Sequence, residues 1–214
     1  MYRPVAPSIA AAAALLRQGE LLVYPTETFF AVGCGADRAD AVARVYQTKR
    51  RAVHKPLPLI AADVAQATAF VALPLETERL CALFWPGPLT ILAPLRAPGL
   101  LPLMLLGAGK AAVRVSPHPT AQALAREYGA PLVASSANIS GRAPVTDMAR
   151  LDPELLAGVA AILPALPHGG HGPVAPAGGL PSSIVETLGG KRLRLVRAGA
   201  ISREALRAAG FTLE

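Results

Sequence analysis

The sequence predicts an α/β protein, and three observations support this class. Short apolar segments of strand length alternate with segments of helical periodicity along most of the chain. The strand-like segments are apolar throughout, as at residues 21–24, which is typical of strands covered on both faces. Several of them end in small polar or charged residues, which is how open α/β sheets present functional groups. We therefore expect one domain over residues 1–214, organised as an α/β sandwich.

Apolar periodicity and turn residues set the predicted boundaries. Strands are predicted over residues 20–24, 28–34, 57–61, 90–95, 111–115, 132–134, 159–163, 183–188 and 192–196. Helices are predicted over residues 8–18, from 37 to the basic cluster at 49–51, after 63, and over 74–84, 117–128, 153–157 and 201–209. Ser8, Asp37 and Asp63 are predicted N-caps, because their side-chain oxygens can accept from first-turn N–H groups. Residues 164–181, dense in proline and glycine, are predicted to form a mobile lid or a surface excursion.

Composition narrows the classes of function. The net charge of +7 comes mostly from arginine, which favours anionic substrates, nucleic acid or both, although genomic composition explains it about equally well. Cys34 and Cys81 form neither a disulfide framework nor a metal motif, so a cytoplasmic location is expected. The apolar run at residues 99–107 is too short to cross a bilayer, so no membrane segment is expected. His168 and His171 lack matching ligands, and no metal site is predicted.

Two polar segments at predicted strand ends are candidate walls of one site. Thr26 and Thr28 follow the first strand, and alternate residues of an extended segment point to the same side, so both hydroxyls can face one ligand. Ser136 and Asn138 follow the strand at 132–134, where small side chains and accessible amides favour anion binding. An ordinary Thr-rich turn and an Asx turn are the simpler alternatives.

Four cations are the candidate anion ligands. Lys49, Arg51 and Lys55 lie at and beyond a predicted helix end, where they could converge on a polyphosphate or form only a solvated cap that suits the helix dipole. Arg114 lies inside a strand-like segment, where a charge must be paired or face a cavity, and it is the strongest single-residue signal. Residues 107–110 do not complete a P-loop, so a nucleotide would be held by side chains.

These constellations coincide with motifs of a known family. The matching segments, in order, are Pro25-Thr26-Glu27-Thr28, Lys49-x-Arg51 with Lys55, Trp85-Pro86-Gly87-Pro88-Leu89-Thr90, Val113-Arg114-Val115 with Pro117-His118-Pro119, Ser136-x-Asn138-x-Ser140-Gly141, Pro181-Ser182-Ser183-Ile184-Val185 and Arg197-x-Gly199. With them the chain resembles the YrdC/TsaC family of threonylcarbamoyl-adenylate synthases, in its short single-domain form, over essentially its whole length. Each segment is weak alone, but their shared order and spacing make a chance match unlikely.

The resemblance implies an activity and a fold. L-threonine, bicarbonate and ATP, with Mg²⁺ accompanying the ATP and no permanently bound cofactor, would give threonylcarbamoyl-AMP and pyrophosphate. Partner proteins would then pass the threonylcarbamoyl group to the adenosine beside the anticodon of certain tRNAs. The implied fold is a YrdC-like twisted mixed sheet, flanked by helices, around a basic concave cavity.

The resemblance also implies residue roles. The residues that would hold threonine or its carbamate are Thr28, Arg114, Ser136 and Ser182. The residues that would face ATP are Lys49, Arg51, Lys55, Asn138, Thr146 and Arg197. The implied catalytic set is Lys49, Arg51, Ser136 and Asn138.

Three positions depart from the family pattern. Ala31 stands where the family usually has glycine, so close backbone approach is expected to differ there. Lys110 stands where a threonine is common, and Ser183 where threonine is frequent. Two other functions remain open alternatives: a non-catalytic maturation factor that binds double-stranded RNA or tRNA, and carbamoyl-adenylate chemistry for hydrogenase maturation. The second ranks lower, because the chain lacks the zinc-finger-like and acylphosphatase segments expected of those larger proteins.

Overall fold

Two sheets form the centre of the molecule in a computed structural model that describes residues 4–97, 99–102, 105–107, 109–167 and 174–214. The strands are β1 (Leu22–Pro25), β2 (Phe30–Gly33), β3 (Leu59–Ala61), β4 (Leu89–Pro94), β5 (Leu106–Gly107), β6 (Lys110–Val115), β7 (Leu132–Val133), β8 (Ser135–Ser136), β9 (Ala161–Ile162), β10 (Ser183–Thr187), β11 (Arg192–Arg197) and β12 (Thr212–Leu213). The helices are α1 (Ile9–Arg17), α2 (Ala39–Thr48), α3 (Val64–Phe70), α4 (Leu75–Phe84), α5 (Pro119–Tyr128), α6 (Pro153–Ala157) and α7 (Arg203–Ala208), with a 3₁₀ turn at Met148–Arg150.

Both sheets are mixed, which confirms the predicted α/β class. The smaller has the order β8-β2-β1-β9, and the larger β12-β11-β10-β4-β6-β3-β7, with β5 added beside β6. Parallel pairs are β1 with β9, β3 with β6, β4 with β10 and β11 with β12, and the other pairs are antiparallel. That residues 1–214 form a single domain stays a prediction.

The resemblance implied one sheet, and the structure divides the strands between two, because the chain changes sheets between β7 and β8. β7 pairs with β3 in the larger sheet, whereas β8 pairs with β2 in the smaller one. Val133 N donates to Cys34 O at 2.9 Å, which joins the two sheets at this point. A Cβ at Gly33 would lie 1.6 Å from Val133 O, so the close approach requires glycine there.

Helix caps account for most of the predicted helix starts. Ser8 accepts from Ala11 N, and Asp63 accepts from Gln66 N, as predicted. The prediction for Asp37 was wrong: α2 starts after Arg38, which makes no side-chain cap bond. The Asp37 carboxylate instead accepts from the Tyr128 hydroxyl at 2.6 Å, a tertiary contact that competes with the local cap.

The proline- and glycine-rich segment is only partly described. Residues 168–173, which include both His168 and His171, lie outside the described residues. Ala177 N donates to Glu27 O at 3.2 Å and Gly178 N to Thr28 O at 2.7 Å, so the described end of the segment is bonded to the chain after β1. Within the described part of the chain, no helix combines the length and apolar character needed to cross a membrane.

Candidate functional site

Both sheets contribute to a concave cavity at the ends of β1 and β6, called here the first cavity. Its volume is roughly 520 Å³ including the open mouth. Six of the residues implied by the family resemblance line it: Thr28, Arg51, Arg114, Ser136, Ser182 and Arg197. These six residues, which are far apart in the sequence, therefore share one opening.

A second cavity adjoins the first. It measures roughly 620 Å³ with its open mouth. Its lining includes Lys49, Arg51, Lys55, Ser136 and Asn138. Arg51 and Ser136 line both cavities, so a ligand in one lies beside a ligand in the other. Thr146 lines neither cavity, and its side chain lies near Gly178.

The two threonines after β1 face the first cavity together. Their hydroxyl oxygens lie 3.3 Å apart. The Thr26 hydroxyl donates to Phe29 O at 2.7 Å, which ties the turn to itself. The Thr28 hydroxyl has only the Thr26 hydroxyl as a partner among the described residues, so it can bind a ligand oxygen or nitrogen.

Arg114 and Glu27 form a buried ion pair at the base of the first cavity. The side chains are 4% and 10% exposed, and Arg114 Nε donates to Glu27 Oε1 at 2.8 Å. The Ser116 hydroxyl donates to Glu27 Oε2. Burial raises the pKa of Glu27, but the Arg114 charge and these two hydrogen bonds outweigh it, so the pKa lies below its ordinary value. The carboxylate is therefore ionised at neutral pH.

Arg197 and Ser182 form the opposite wall. Arg197 Nη2 donates to Ser182 O at 2.7 Å and to its hydroxyl oxygen at 3.0 Å. The Ser182 hydroxyl also lies 2.9 Å from that of Thr90 on β4. A Cβ at Gly199 would lie 2.2 Å from Pro181 O, so glycine permits the segment before Ser182 to pack against the chain that follows β11.

The environment of the first cavity lowers the pKa values of Arg197 and Arg51. The pKa of Arg197 is lowered by burial first, and then by the positive charges of Arg114 and Arg51. Burial likewise lowers the pKa of Arg51. A bound anion would offset the positive charge that acts on Arg197, so the first cavity favours an anionic group in its ligand.

Lys49 and Arg51, which follow α2, point in different directions. Arg51 N donates to Tyr46 O and Arg50 N to Gln47 O, which is a Schellman motif. Arg50 occupies the left-handed position with a φ of 50°, where glycine is usual. The motif reverses the chain so that Lys49 points inward and Arg51 turns toward the cavities.

The ammonium group of Lys49 donates hydrogen bonds to backbone carbonyls of the same chain. Lys49 is 2% exposed, and its Nζ donates to Ser136 O and, at 2.7 Å, to Asn138 O. Ser140 N donates back to Lys49 O at 2.8 Å. Burial, followed by the charge of Arg51, lowers the pKa of Lys49 to about 7. Lys49 therefore holds the segment after β8 in place, and because it also lines the second cavity, the ATP contact implied by the resemblance stays a prediction.

Arg51 and Asn138 keep binding capacity. Arg51 donates through Nε to Lys55 O and through Nη2 to Pro56 O, both at 3.0 Å, which leaves Nη1 free of described partners. Asn138 Nδ2 donates to Ile139 O and Arg142 O. Asn138 Oδ1 is buried and has no described partner, so it fits a donor supplied by a ligand.

Reasoning from the residues did not assign Glu27 a role in the site. Glu27 lies between two threonines that face the cavity, and its own side chain accepts from Arg114 and Ser116. Its partner Arg114 lies 87 residues further along the chain. The usable signal was the charge of Arg114 inside a strand, which must be paired or face a cavity, and Arg114 does both.

Comparisons with known proteins identify the family of the chain. The family model Sua5_yciO_yrdC, described as Telomere recombination, matches residues 14–199. The chain is 38% identical to Threonylcarbamoyl-AMP synthase of Bacillus subtilis (strain 168), over 76% of this chain and 47% of that protein. It is 40% identical to the protein of the same name from Xanthomonas campestris pv. campestris (strain B100), over 75% of this chain and 87% of that one. The chain thus spans about half the length of the Bacillus relative and most of the Xanthomonas relative.

Solved structures show the same fold. The crystal structure of P. abyssi Sua5 complexed with L-threonine matches with a TM-score of 0.83 and 28% identity, covering 96% of this chain and 58% of that one. The crystal structure of E. coli YciO matches with a TM-score of 0.75 and 23% identity, covering 92% and 93%. The second likeness concerns the fold alone.

Proposed function

The chain belongs to the Sua5, YciO and YrdC family, and we propose that it is an L-threonylcarbamoyladenylate synthase. It would convert L-threonine, bicarbonate and ATP to threonylcarbamoyl-AMP and pyrophosphate. The observation that carries the proposal is the pair of adjoining cavities that share Arg51 and Ser136. An amino acid in the first and a nucleotide in the second would meet at these two residues. The relatives named threonylcarbamoyl-AMP synthase favour this function over RNA binding without turnover and over hydrogenase maturation.

The first cavity suits threonine and its carbamate. The terminal nitrogens of Arg114 would bind a carboxylate in bidentate fashion, and the Thr28 and Ser182 hydroxyls would hydrogen-bond the remaining polar groups. P. abyssi Sua5 was crystallised in complex with L-threonine, which supports threonine as the amino acid.

The second cavity suits the nucleotide. Arg51 and Lys55 would offset the charge of the phosphates, and Asn138 Oδ1 would accept from a ribose hydroxyl or a metal-bound water. Lys49 would act indirectly, by fixing the carbonyls of Ser136 and Asn138.

The proposed reaction has two steps that balance. The amine of threonine combines with bicarbonate to give the carbamate and water. A carbamate oxygen then attacks the α-phosphorus of ATP, the bond from that phosphorus to the bridging oxygen breaks, and pyrophosphate leaves. Neither step needs a strong general base, so positioning and charge neutralisation would supply most of the rate.

Mg²⁺ would enter with ATP. Among the described residues no group of three or more His, Cys, Asp or Glu side chains could hold a metal ion. Glu27, the carboxylate at the base of the first cavity, is already bonded to Arg114 and Ser116. The chemistry of the site therefore fits a metal held mainly by phosphate oxygens, with Asn138 Oδ1 as the available protein acceptor. When bound, Mg²⁺ would offset triphosphate charge.

Transfer to tRNA by further proteins, and a cytoplasmic location, are parts of the same proposal. The acceptor would be the adenosine beside the anticodon, since the product is an activated threonylcarbamoyl group that needs a nucleophile. The net charge of +7 is compatible with contact to tRNA.

The decisive experiment measures pyrophosphate. Pure protein is incubated with ATP, Mg²⁺ and bicarbonate, with and without L-threonine, and ¹³C-bicarbonate is followed into the product. We expect pyrophosphate release that depends on threonine, with one labelled carbon per pyrophosphate. Release that ignores threonine would contradict the proposal, and salt-sensitive tRNA binding with no release would favour the RNA-binding alternative.

A further inference from the structure

Glu27 occupies a position that no role in the proposed reaction explains. Its carboxylate does not line either cavity, yet it lies directly beneath Arg114, which lines the first. A buried carboxylate that makes one ion pair and one hydroxyl bond is held firmly, because removing either partner would leave charge unsatisfied.

The ion pair between Glu27 and Arg114 uses only one edge of the Arg114 guanidinium group. Glu27 accepts from Nε of Arg114, and Nη1 and Nη2 have no partner among the described residues. A guanidinium group offers its donors in a planar fork, and a bond at Nε fixes the plane and the direction of the fork. The two terminal nitrogens are therefore left as a matched pair for a ligand in the first cavity.

Glu27 is in turn held, directly or through neighbouring residues, by two other parts of the chain, residues 116–120 and 174–177. The Ser116 hydroxyl that donates to Glu27 also accepts from His118 N at 3.1 Å. The His118 ring caps α5 through Thr120 N and bonds Val174 O at 2.8 Å. The backbone carbonyl of Glu27 accepts from Ala177 N. A carboxylate braced in this way can hold Arg114 still while substrates come and go.

We propose that Glu27 is a positioning residue that sets the specificity of the first cavity for a free carboxylate. By holding Nε of Arg114, it presents Nη1 and Nη2 as a bidentate fork to the carboxylate of the amino-acid substrate. The inference deepens the proposed function and rests on it. A substrate that carries a neutral amide in place of the carboxylate cannot accept both bonds and is rejected.

The test compares L-threonine with L-threoninamide in wild-type protein and in Glu27→Gln. The variant keeps the shape of the side chain and loses its charge, so its amide oxygen holds Nε of Arg114 more weakly than the carboxylate does. We expect the KM for L-threonine to rise about tenfold, which is the typical value of one charge-assisted hydrogen bond. The KM for ATP should stay within about twofold, and the preference for L-threonine over L-threoninamide should fall by about the same tenfold factor.

Glu186→Gln is the matched control. Like Glu27, Glu186 forms ion pairs, in its case with Lys110 and Arg194, but it lies outside both cavities. Glu186→Gln makes the same change of charge as Glu27→Gln, and it should leave the preference for L-threonine over L-threoninamide unchanged.

Glu27→Asp keeps the charge and covers the case in which Glu27→Gln does not fold. Its shorter side chain should reach Nε poorly and give an intermediate rise in the KM for L-threonine. In an Arg114→Lys background, Glu27→Gln should cause no further loss of preference, because the fork it orients is gone.

The outcomes separate the inference from the proposed function. A folded Glu27→Gln or Glu27→Asp protein with wild-type KM and wild-type preference would overturn the inference while the synthase assignment stands. A wild-type protein without threonine-dependent pyrophosphate release would overturn both. In either case the NMR signal of Arg114 Nε–H, expected to be slow to exchange in wild type and fast in Glu27→Gln, checks the positioning contact without activity.

Discussion

The two cavities differ in how far the protein satisfies its own charges. In the first cavity, Arg114 is 4% exposed and has a buried carboxylate partner, and Arg197 is bonded to Ser182. In the second cavity, Lys55 is exposed and Arg51 is bonded only to carbonyl oxygens, so no carboxylate of the described chain neutralises them. The first cavity thus has an internal carboxylate partner for Arg114, whereas the second depends on its ligand for negative charge.

This difference follows the chemistry that each side would bind. An amino acid carries little net charge, so discrimination must come from donors fixed in position. A triphosphate brings several negative charges, so loosely held cations suffice and their interaction falls with added salt. Substitutions in the first cavity should therefore affect stability and activity together, and those in the second mainly activity.

The largest effect is expected for Arg114→Ala. It would leave Glu27 buried without its cation, which typically lowers the free energy of unfolding by about 3 to 5 kcal/mol. Threonine-dependent pyrophosphate release should fall about a hundredfold to a thousandfold.

The stabilisation that the ion pair gives the folded protein should depend on pH. Because the pKa of Glu27 is lowered in the folded protein, this stabilisation is present above about pH 4.3 and is lost as the pH falls below that value. Urea unfolding of wild type and of Arg114→Ala at pH 7 and pH 3 measures both effects. An Arg114→Ala protein as stable as wild type at pH 7 would contradict the prediction.

Arg51→Ala should reduce pyrophosphate release about a hundredfold while the free energy of unfolding changes by less than about 1 kcal/mol. The reason is that Arg51 bonds only to backbone carbonyls of its own loop. Arg207→Ala, a change of the same charge on the exposed face of α7, is the control. Wild-type turnover in Arg51→Ala would refute the role of the second cavity.

Lys49→Met tests the buried ammonium between the two cavities. The folded pKa of about 7 lies below the ordinary value of lysine, so folding must neutralise this amine or bury its charge. The unfolded chain binds more protons between pH 7 and about 10.4, and the stability of wild type relative to Lys49→Met should rise with pH there. We expect a rise of about 1 to 3 kcal/mol between pH 6.5 and pH 9 in urea unfolding. Lys191→Met is the exposed control, and an equal difference at both pH values would mean that the ammonium stays charged.

The smallest effect is expected at Arg50. Arg50→Gly and Arg50→Ala both remove the ion pair with Glu154, but only glycine relieves the left-handed backbone. The glycine variant should therefore be more stable than the alanine variant by about 1 kcal/mol. Thermal unfolding checks this, and an alanine variant of equal or higher stability would show that the Schellman turn is unstrained.

Predictions from local sequence were accurate where one element depends on its own residues. The Ser8 and Asp63 caps and the strands β10 and β11 were predicted correctly, because capping and apolar alternation depend only on neighbouring residues. The two-residue strand β12 was missed, because its pairing with β11 depends on a fold-back that has no local signal. The Asp37 cap failed because Tyr128, 91 residues away, takes its carboxylate.

The sequence by itself determined the α/β class, the polar residues at strand ends and the family resemblance, since apolar periodicity and motif spacing are written along the chain. Only the tertiary structure decided that Ser135–Ser136 joins a second sheet, that Lys49 donates to two backbone carbonyls, and that Glu27 accepts from Arg114 Nε. These contacts join residues more than 80 positions apart. Sequence patterns report which face of an element is buried, whereas the partner of a buried charge is set by how distant elements pack.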